Sequence, residues 1–197
     1  MAIANGKTKA ELDAEAEESW LQGDSYFYGE GVVQNYEKAV EWYTKAASLG
    51  SVEAKNNLGI CYLNGLGTER DLYKGFDLCK EAANQGFANA QFVLYNCYFH
   101  GAYGITKDLL QGFEWCEKSA EQGFAPAQNA LGEIYRYGGK YGRKIVGGVP
   151  DWKTAGEWFE KAAIQGYEKA IENLNELCTS GLYEIKNEEF AMTLGIL

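Results

Sequence analysis

Residues 36–50, "YEKAVEWYTKAASLG", place Ala39, Trp42, Tyr43, Ala46 and Ala47 at the spacing of one apolar helix face. Asn35 precedes the run as an N-cap, and Gly50 follows where a left-handed residue closes a helix. A short turn later a second apolar period begins with Ala54, Leu58, Gly59 and Tyr62. The pattern predicts helix A, a tight turn and helix B.

The same pair returns along the chain. "KAASLGSVEAKNNLGICY" from Lys45 is echoed by "EAANQGFANAQFVLYNCY" from Glu81, "KSAEQGFAPAQNALGEIY" from Lys118 and "KAAIQGYEKAIENLNELC" from Lys161. The glycine of each falls at Gly50, Gly86, Gly123 and Gly166, with spacings of 36, 37 and 43 residues. Such a period marks a repeat architecture. Asn35, Asp71, Asp108 and Asp151 stand as N-caps of successive A helices, and Pro126 sits in the first turn of a B helix. The predicted repeats are 36–67, 72–104, 109–150 and 152–181, in one repeat domain over 1–197. Residues 8–31 read as a partial repeat opened by the capping box "TKAE". Residues 182–197 form the end, where "NEEFAMTL" predicts a short capping helix.

Small residues occupy helix faces that usually carry large ones. Ala46, Ala47, Ala54 and Gly59 are expected where helices A and B cross, letting the backbones approach. Trp42, Tyr43, Leu58 and Tyr62 are expected to fill the seams between units. Trp42, Trp115 and Trp158 share one predicted core position; Trp20 has no equivalent and reads as packing of the first helix or as a binding residue.

The helix A signatures "WYTKAASLG" and "EWFEKAAIQG", with "NNLGICYLNGLG" and "AQNALGEIYRYGG" of helix B, resemble the Sel1-like repeat family, relatives of the tetratricopeptide repeats. The resemblance covers residues 14–181. It implies an all-α, right-handed α-solenoid of about four helix pairs with partial capping helices at both ends. It also implies an adaptor or scaffold that takes a protein or peptide on a concave face lined by A helices.

Composition supports a folded, acidic chain. Apolar residues make up 46% of the chain, enough for a core. The net charge of −10 disfavours phosphate backbones, hence nucleic acid, and favours a basic partner. Neither a signal peptide nor a membrane-spanning run is legible, so the sequence as written reads as cytosolic. No cofactor or metal motif occurs; "GEG" at Gly29 and "GLG" at Gly65 read as inter-repeat turns. His100, the one histidine, closes a predicted helix B and reads as structural. Cys61, Cys79, Cys97, Cys116 and Cys178 follow the repeat register without CxxC spacing and read as small core hydrophobes.

Function therefore has to lie in what the surface carries. Glu41, Asp77, Glu114 and Glu157 hold one equivalent position in four A helices. Lys45, Lys118 and Lys161, four residues on, offer intrahelical pairing, whereas Asp77 meets Glu81. A solvated face and a partner-binding column both remain open. The segment Tyr137–Pro150 is about seven residues longer than its counterparts. It concentrates Lys140, Arg143 and Lys144 beside Tyr141, as a binding loop or a neutral insertion. Residues 11–18, "ELDAEAEE", add five acidic groups. The function expected is a non-enzymatic protein-interaction module. A bacterial immunity protein against a basic toxin is the narrower alternative, and a peptidoglycan hydrolase is the contrasting class.

Overall fold

The computed structural model describes residues 7–138, 148–185 and 188–193. They form ten α-helices and no strand. In chain order these are α1 (Lys9–Tyr28), α2 (Tyr36–Ser48), α3 (Val52–Asn64), α4 (Leu72–Asn84), α5 (Ala88–His100), α6 (Leu109–Glu121), α7 (Ala125–Arg136), α8 (Trp152–Ile164), α9 (Glu168–Thr179) and α10 (Glu188–Thr193). Two compact units divide the chain, Met1–Leu94 and Tyr95–Leu197, so the boundary falls within α5.

The predicted helix ends are present. Thr8 and Glu11 form a reciprocal capping box on α1. Asn35, Asp71, Asp108 and Asp151 each accept a hydrogen bond at 3.0 Å from the backbone three residues on. Gly50, Gly86, Gly123 and Gly166 all take positive φ, between 81° and 105°. A side chain there would strain the backbone, so glycine recurs for conformation rather than for space.

In the first unit α1 packs on α2, α2 on α3 and α3 on α4. Ala39, Tyr43, Ala46, Ala54, Leu58 and Cys61 make one buried cluster, with Trp20, Phe27 and Tyr62 packed at its edge. Ala46 and Ala54 are fully buried, as expected of a close crossing. Gly59 is not part of that crossing. A Cβ on it would stand 2.6 Å from Cys79 Sγ and 2.9 Å from the Gly75 carbonyl, both on α4. Its small size serves the seam with the following helix A. Gly23 of α1 does the same for α2, since its Cβ would meet the Tyr43 ring at 2.5 Å. Tyr43 thus fills the seam the sequence assigned to it.

In the second unit α6 packs on α7, α7 on α8 and α8 on α9. The seam rule repeats: a Cβ on Gly132 would lie 2.5 Å from the Phe159 ring. In α5 the same position is Tyr95, and the A-helix position that carries Tyr43 or Phe159 is there Cys116. By register, the large and small residues trade places at this pair of positions. Beyond α9, the Tyr183 ring covers Gly156 and its hydroxyl donates to Glu160 at 2.7 Å. Ile185 and Ala191 are buried in the same cluster as Phe159 and Leu174. The end of the array is closed by this strap and α10, as capping requires.

Candidate partner-binding surface

Glu41, Asp77, Glu114 and Glu157 are all exposed. Each precedes the buried seam residue of its helix by two positions, and that spacing turns it outward. Among the described residues none of the four forms an ion pair. The intrahelical partners expected from spacing are engaged elsewhere. Lys45 Nζ lies 5.3 Å from the centre of the Trp42 ring, Lys118 4.4 Å from Trp115 and Lys161 3.8 Å from Trp158. Three residues of helix bring an ammonium over the indole one turn back, where the negative face of the ring attracts it. Lys45 also reaches across to Glu15 of α1 at 3.0 Å.

The three tryptophans are therefore not core residues. Each is half-buried, and its lysine lies over the ring. In α4 the pair is absent: Leu78 and Glu81 hold the two places, and Glu81 instead pairs with Lys55 of α3 at 3.2 Å. On α2, α6 and α8 the strip thus reads carboxylate, indole, ammonium. On α4 it reads carboxylate, leucine, carboxylate. In the second unit Glu117, half-buried beside the strip, has its carboxyl held above the usual range, first by burial and then by Glu121 and Glu114.

Lys140, Tyr141, Arg143 and Lys144 lie outside the described residues. Tyr137, at the start of that segment, is exposed, and the Arg136 guanidinium lies 5.3 Å from its ring centre. The five acidic residues near the start of α1 divide by face. Glu11 belongs to the capping box, and Glu15 pairs with Lys7 at 2.6 Å and with Lys45. Asp13 and Glu17 line a hollow beside Trp20.

Two polar networks escaped the sequence reading. In the first unit Tyr43 Oη donates to Asp24 Oδ1 at 2.5 Å, and Asn57 Nδ2 donates to the same oxygen at 3.0 Å. Burial holds the Asp24 carboxyl above the usual range, against these two hydrogen bonds. In the second unit Arg136 joins Glu176 at 2.6 Å and Asn173 at 3.4 Å, and Asn173 donates to Asn129 at 2.9 Å. Partners 19 to 44 residues apart carry no local signal. The lysine–tryptophan pairs also lie outside the sequence reading, although their three-residue spacing makes the contact available.

His100 stands among aromatic side chains. Its Nε2 is 3.1 Å from Tyr95 Oη, and its ring stands edge-on to Tyr95 and Phe99. Cys97, one turn away, is buried, and burial pushes its thiol up to about 11; Cys61 is pushed to the same value. The thiolates needed for attack are scarce at neutral pH. All five cysteines are free thiols, and four are buried. No group of three metal-ligating side chains occurs among the described residues. Among them, no helix is long and apolar enough to cross a membrane.

Successive helix pairs, closed by left-handed glycines and packed within each unit across seams such as Gly59–Cys79 and Gly132–Phe159, define the solenoid class of helical repeat proteins. The Sel1 repeat model matches residues 23–51, 52–87, 88–124 and 125–167, and the chain belongs to that family. Each match runs from a B helix, or the end of α1, through the next A helix. Repeats of this family commonly serve protein–protein interaction. The fold is shared with a Sel1 repeat protein of Oxalobacter formigenes, at TM-score 0.68 and 24% identity, over 94% of this chain and 73% of that one. A protective antigen of uropathogenic Escherichia coli strains is 28% identical at TM-score 0.57. That match takes in 94% of this chain but 46% of the antigen, so the chain spans under half its length. An immunity protein of Pseudomonas aeruginosa has the same fold at 17% identity and TM-score 0.51, over 100% of this chain and 85% of that one.

Proposed function

We propose that the chain is a non-catalytic protein-interaction module whose A helices present the binding surface. The observation that carries the reading is the state of Glu41, Asp77, Glu114 and Glu157. They recur in register, are exposed and form no ion pair among the described residues, because the lysines beside three of them lie over indoles. An unpaired carboxylate next to a half-exposed aromatic offers a basic partner both charge and apolar area. The partner is a protein or peptide rather than nucleic acid, given the net charge of −10. Lys140, Tyr141, Arg143 and Lys144 supply a second, oppositely charged contact in the same reading.

The test is quantitative capture with the wild type and with a variant carrying Glu41→Lys, Asp77→Lys, Glu114→Lys and Glu157→Lys. Loss of a specific captured protein, with the thermal transition of the variant retained, supports the surface. Equal recovery of that protein by both chains removes it. An immunity protein that neutralises a basic toxin is a narrower form of the same reading, favoured by the acidic balance. Its signature is inhibition of a basic toxin by the purified chain at one-to-one stoichiometry.

A further inference from the structure

The turn from α3 to α4 in the first unit borders a hollow of about 570 Å³. Tyr62 of α3 lines it, together with Thr68, Arg70, Tyr73 and Lys74. Two cations therefore line one space on a chain of net charge −10. Three observations set them apart from ordinary surface charges.

First, both are held by neutral acceptors. Arg70 Nε donates to the Leu63 carbonyl at 2.9 Å. Lys74 Nζ donates to Tyr62 Oη at 2.6 Å and lies 4.1 Å from the centre of that ring. Neither cation forms an ion pair among the described residues, although Glu69 and Asp71 line the same hollow. Asp71 is occupied as the N-cap of α4, accepting from the Lys74 backbone. The two cations are thus positioned without being neutralised.

Second, the repeat supplies its own control. One repeat earlier Gln34 stands where Arg70 does, and Phe27 where Leu63 does. Gln34 Nε2 donates to the Phe27 carbonyl at 2.8 Å. One uncharged N–H is therefore enough to tie this turn to its B helix. The charge of Arg70 and the N–H groups on its two Nη atoms go beyond that task. In the later turns the two places hold Lys107 with Gln111 and Pro150 with Thr154, so guanidinium and ammonium coincide in this turn alone.

Third, apolar surface adjoins the cations. Tyr73 is 89% exposed, the most exposed large apolar side chain among the described residues, where one repeat earlier the chain has Glu37. The turn is firmly seated, since a side chain on Gly67 would run into the Tyr36 carbonyl at the start of α2.

We infer that this hollow takes the side-chain carboxylate of an acidic residue in a partner segment, with an apolar neighbour of that residue against the Tyr73 ring. The two Nη atoms of Arg70 match the two oxygens of a carboxylate, and Lys74 and the Tyr62 hydroxyl add further donors. Glu69 and Asp71, in the same walls, oppose a dianion such as phosphate, so a single negative charge suits the space. The inference rests on the reading of the chain as a protein-interaction module. It adds an anionic contact and uses none of the four A-helix carboxylates.

The probe is the blocked peptide acetyl-Gly-Glu-Leu-Gly-amide, titrated into the full chain labelled with nitrogen-15. Saturable movement of the Arg70 Nε–H resonance and of the Thr68 and Tyr73 amides is expected, with a dissociation constant in the millimolar range, as suits one side chain. The same peptide with glutamine in place of glutamate should leave them still. Arg70→Gln keeps the kind of tie that Gln34 makes and removes the charge. It should retain the thermal transition and weaken binding about fivefold or more, read from the Thr68 and Tyr73 amides. Lys74→Met should weaken it by a smaller factor. Static resonances, equal movement by the glutamine peptide, wild-type affinity in Arg70→Gln, or tighter binding of inorganic phosphate than of the peptide would overturn the assignment. Reversal of Glu114 and Glu157, on the second unit, should leave the probe affinity unchanged. Failure of the A-helix surface is thereby kept apart from failure of this site.

Discussion

Lys161 Nζ lies 3.8 Å from the centre of the Trp158 indole, one turn back on α8. The pair leaves Glu157 unneutralised on an exposed face. Lys161→Met keeps the apolar stem and removes the charge. It should cost about 0.5–1 kcal/mol in urea unfolding, and Lys161→Arg should cost less. Equal stability of the methionine variant and wild type would show that the ammonium contributes nothing over the ring.

The seam between α7 and α8 admits no side chain at Gly132. Gly132→Ala drives a methyl into the Phe159 ring and should cost about 1–3 kcal/mol by overpacking. Phe159→Leu alone opens a gap and is also destabilising. Combined, the two should cost less than their sum, because each relieves the other. Strict additivity in chemical denaturation would argue against this seam.

Asp24 ties α1 to Tyr43 of α2 and Asn57 of α3. Its carboxyl is raised by burial, so the folded state binds its proton more tightly than the unfolded state. Its contribution to stability therefore grows as pH falls through the folded value. Asp151 runs the other way. Its carboxyl is lowered by hydrogen bonds from Thr154, and its stabilising part is lost on acidification. Asp24→Asn keeps the acceptor and removes the charge, so it should match or exceed the wild type at neutral pH. Asp24→Ala leaves the Tyr43 hydroxyl without its partner and should cost about 1–3 kcal/mol. Melting curves of both variants across pH 4–8 read the sign directly.

Thiol reactivity separates the cysteines. Cys61, Cys79, Cys97 and Cys116 are buried, whereas Cys178 is half-buried. In native buffer Ellman's reagent should label Cys178 alone, and slowly, because burial also raises that thiol. The other four should react only on unfolding. Fast native labelling of Cys97 would place an accessible thiol beside His100 and favour a catalytic reading.

The helix pairs were legible because each boundary is a local event. Asn35 caps within three residues, and Gly50 closes within one turn. The partner of a small residue is not local. Gly59 looks the same in sequence whether it faces α2 or α4, and only the packed backbone shows that it faces Cys79. The candidate surface was legible as a list of exposed carboxylates, yet their partners were not. Spacing alone makes Glu157–Lys161 and Trp158–Lys161 equally available, and ring attraction decides between them. Asp24 sits in α1 as one more acidic residue, and only the approach of Tyr43 and Asn57 reveals its role.

The claim that the A helices form the binding surface is tested most directly by hydrogen exchange of the chain with and without its captured protein partner. Protection is predicted at the amides around Glu41–Lys45, Asp77–Glu81, Glu114–Lys118 and Glu157–Lys161. Protection confined to the B helices α3, α5, α7 and α9, with the A helices unchanged, would contradict it.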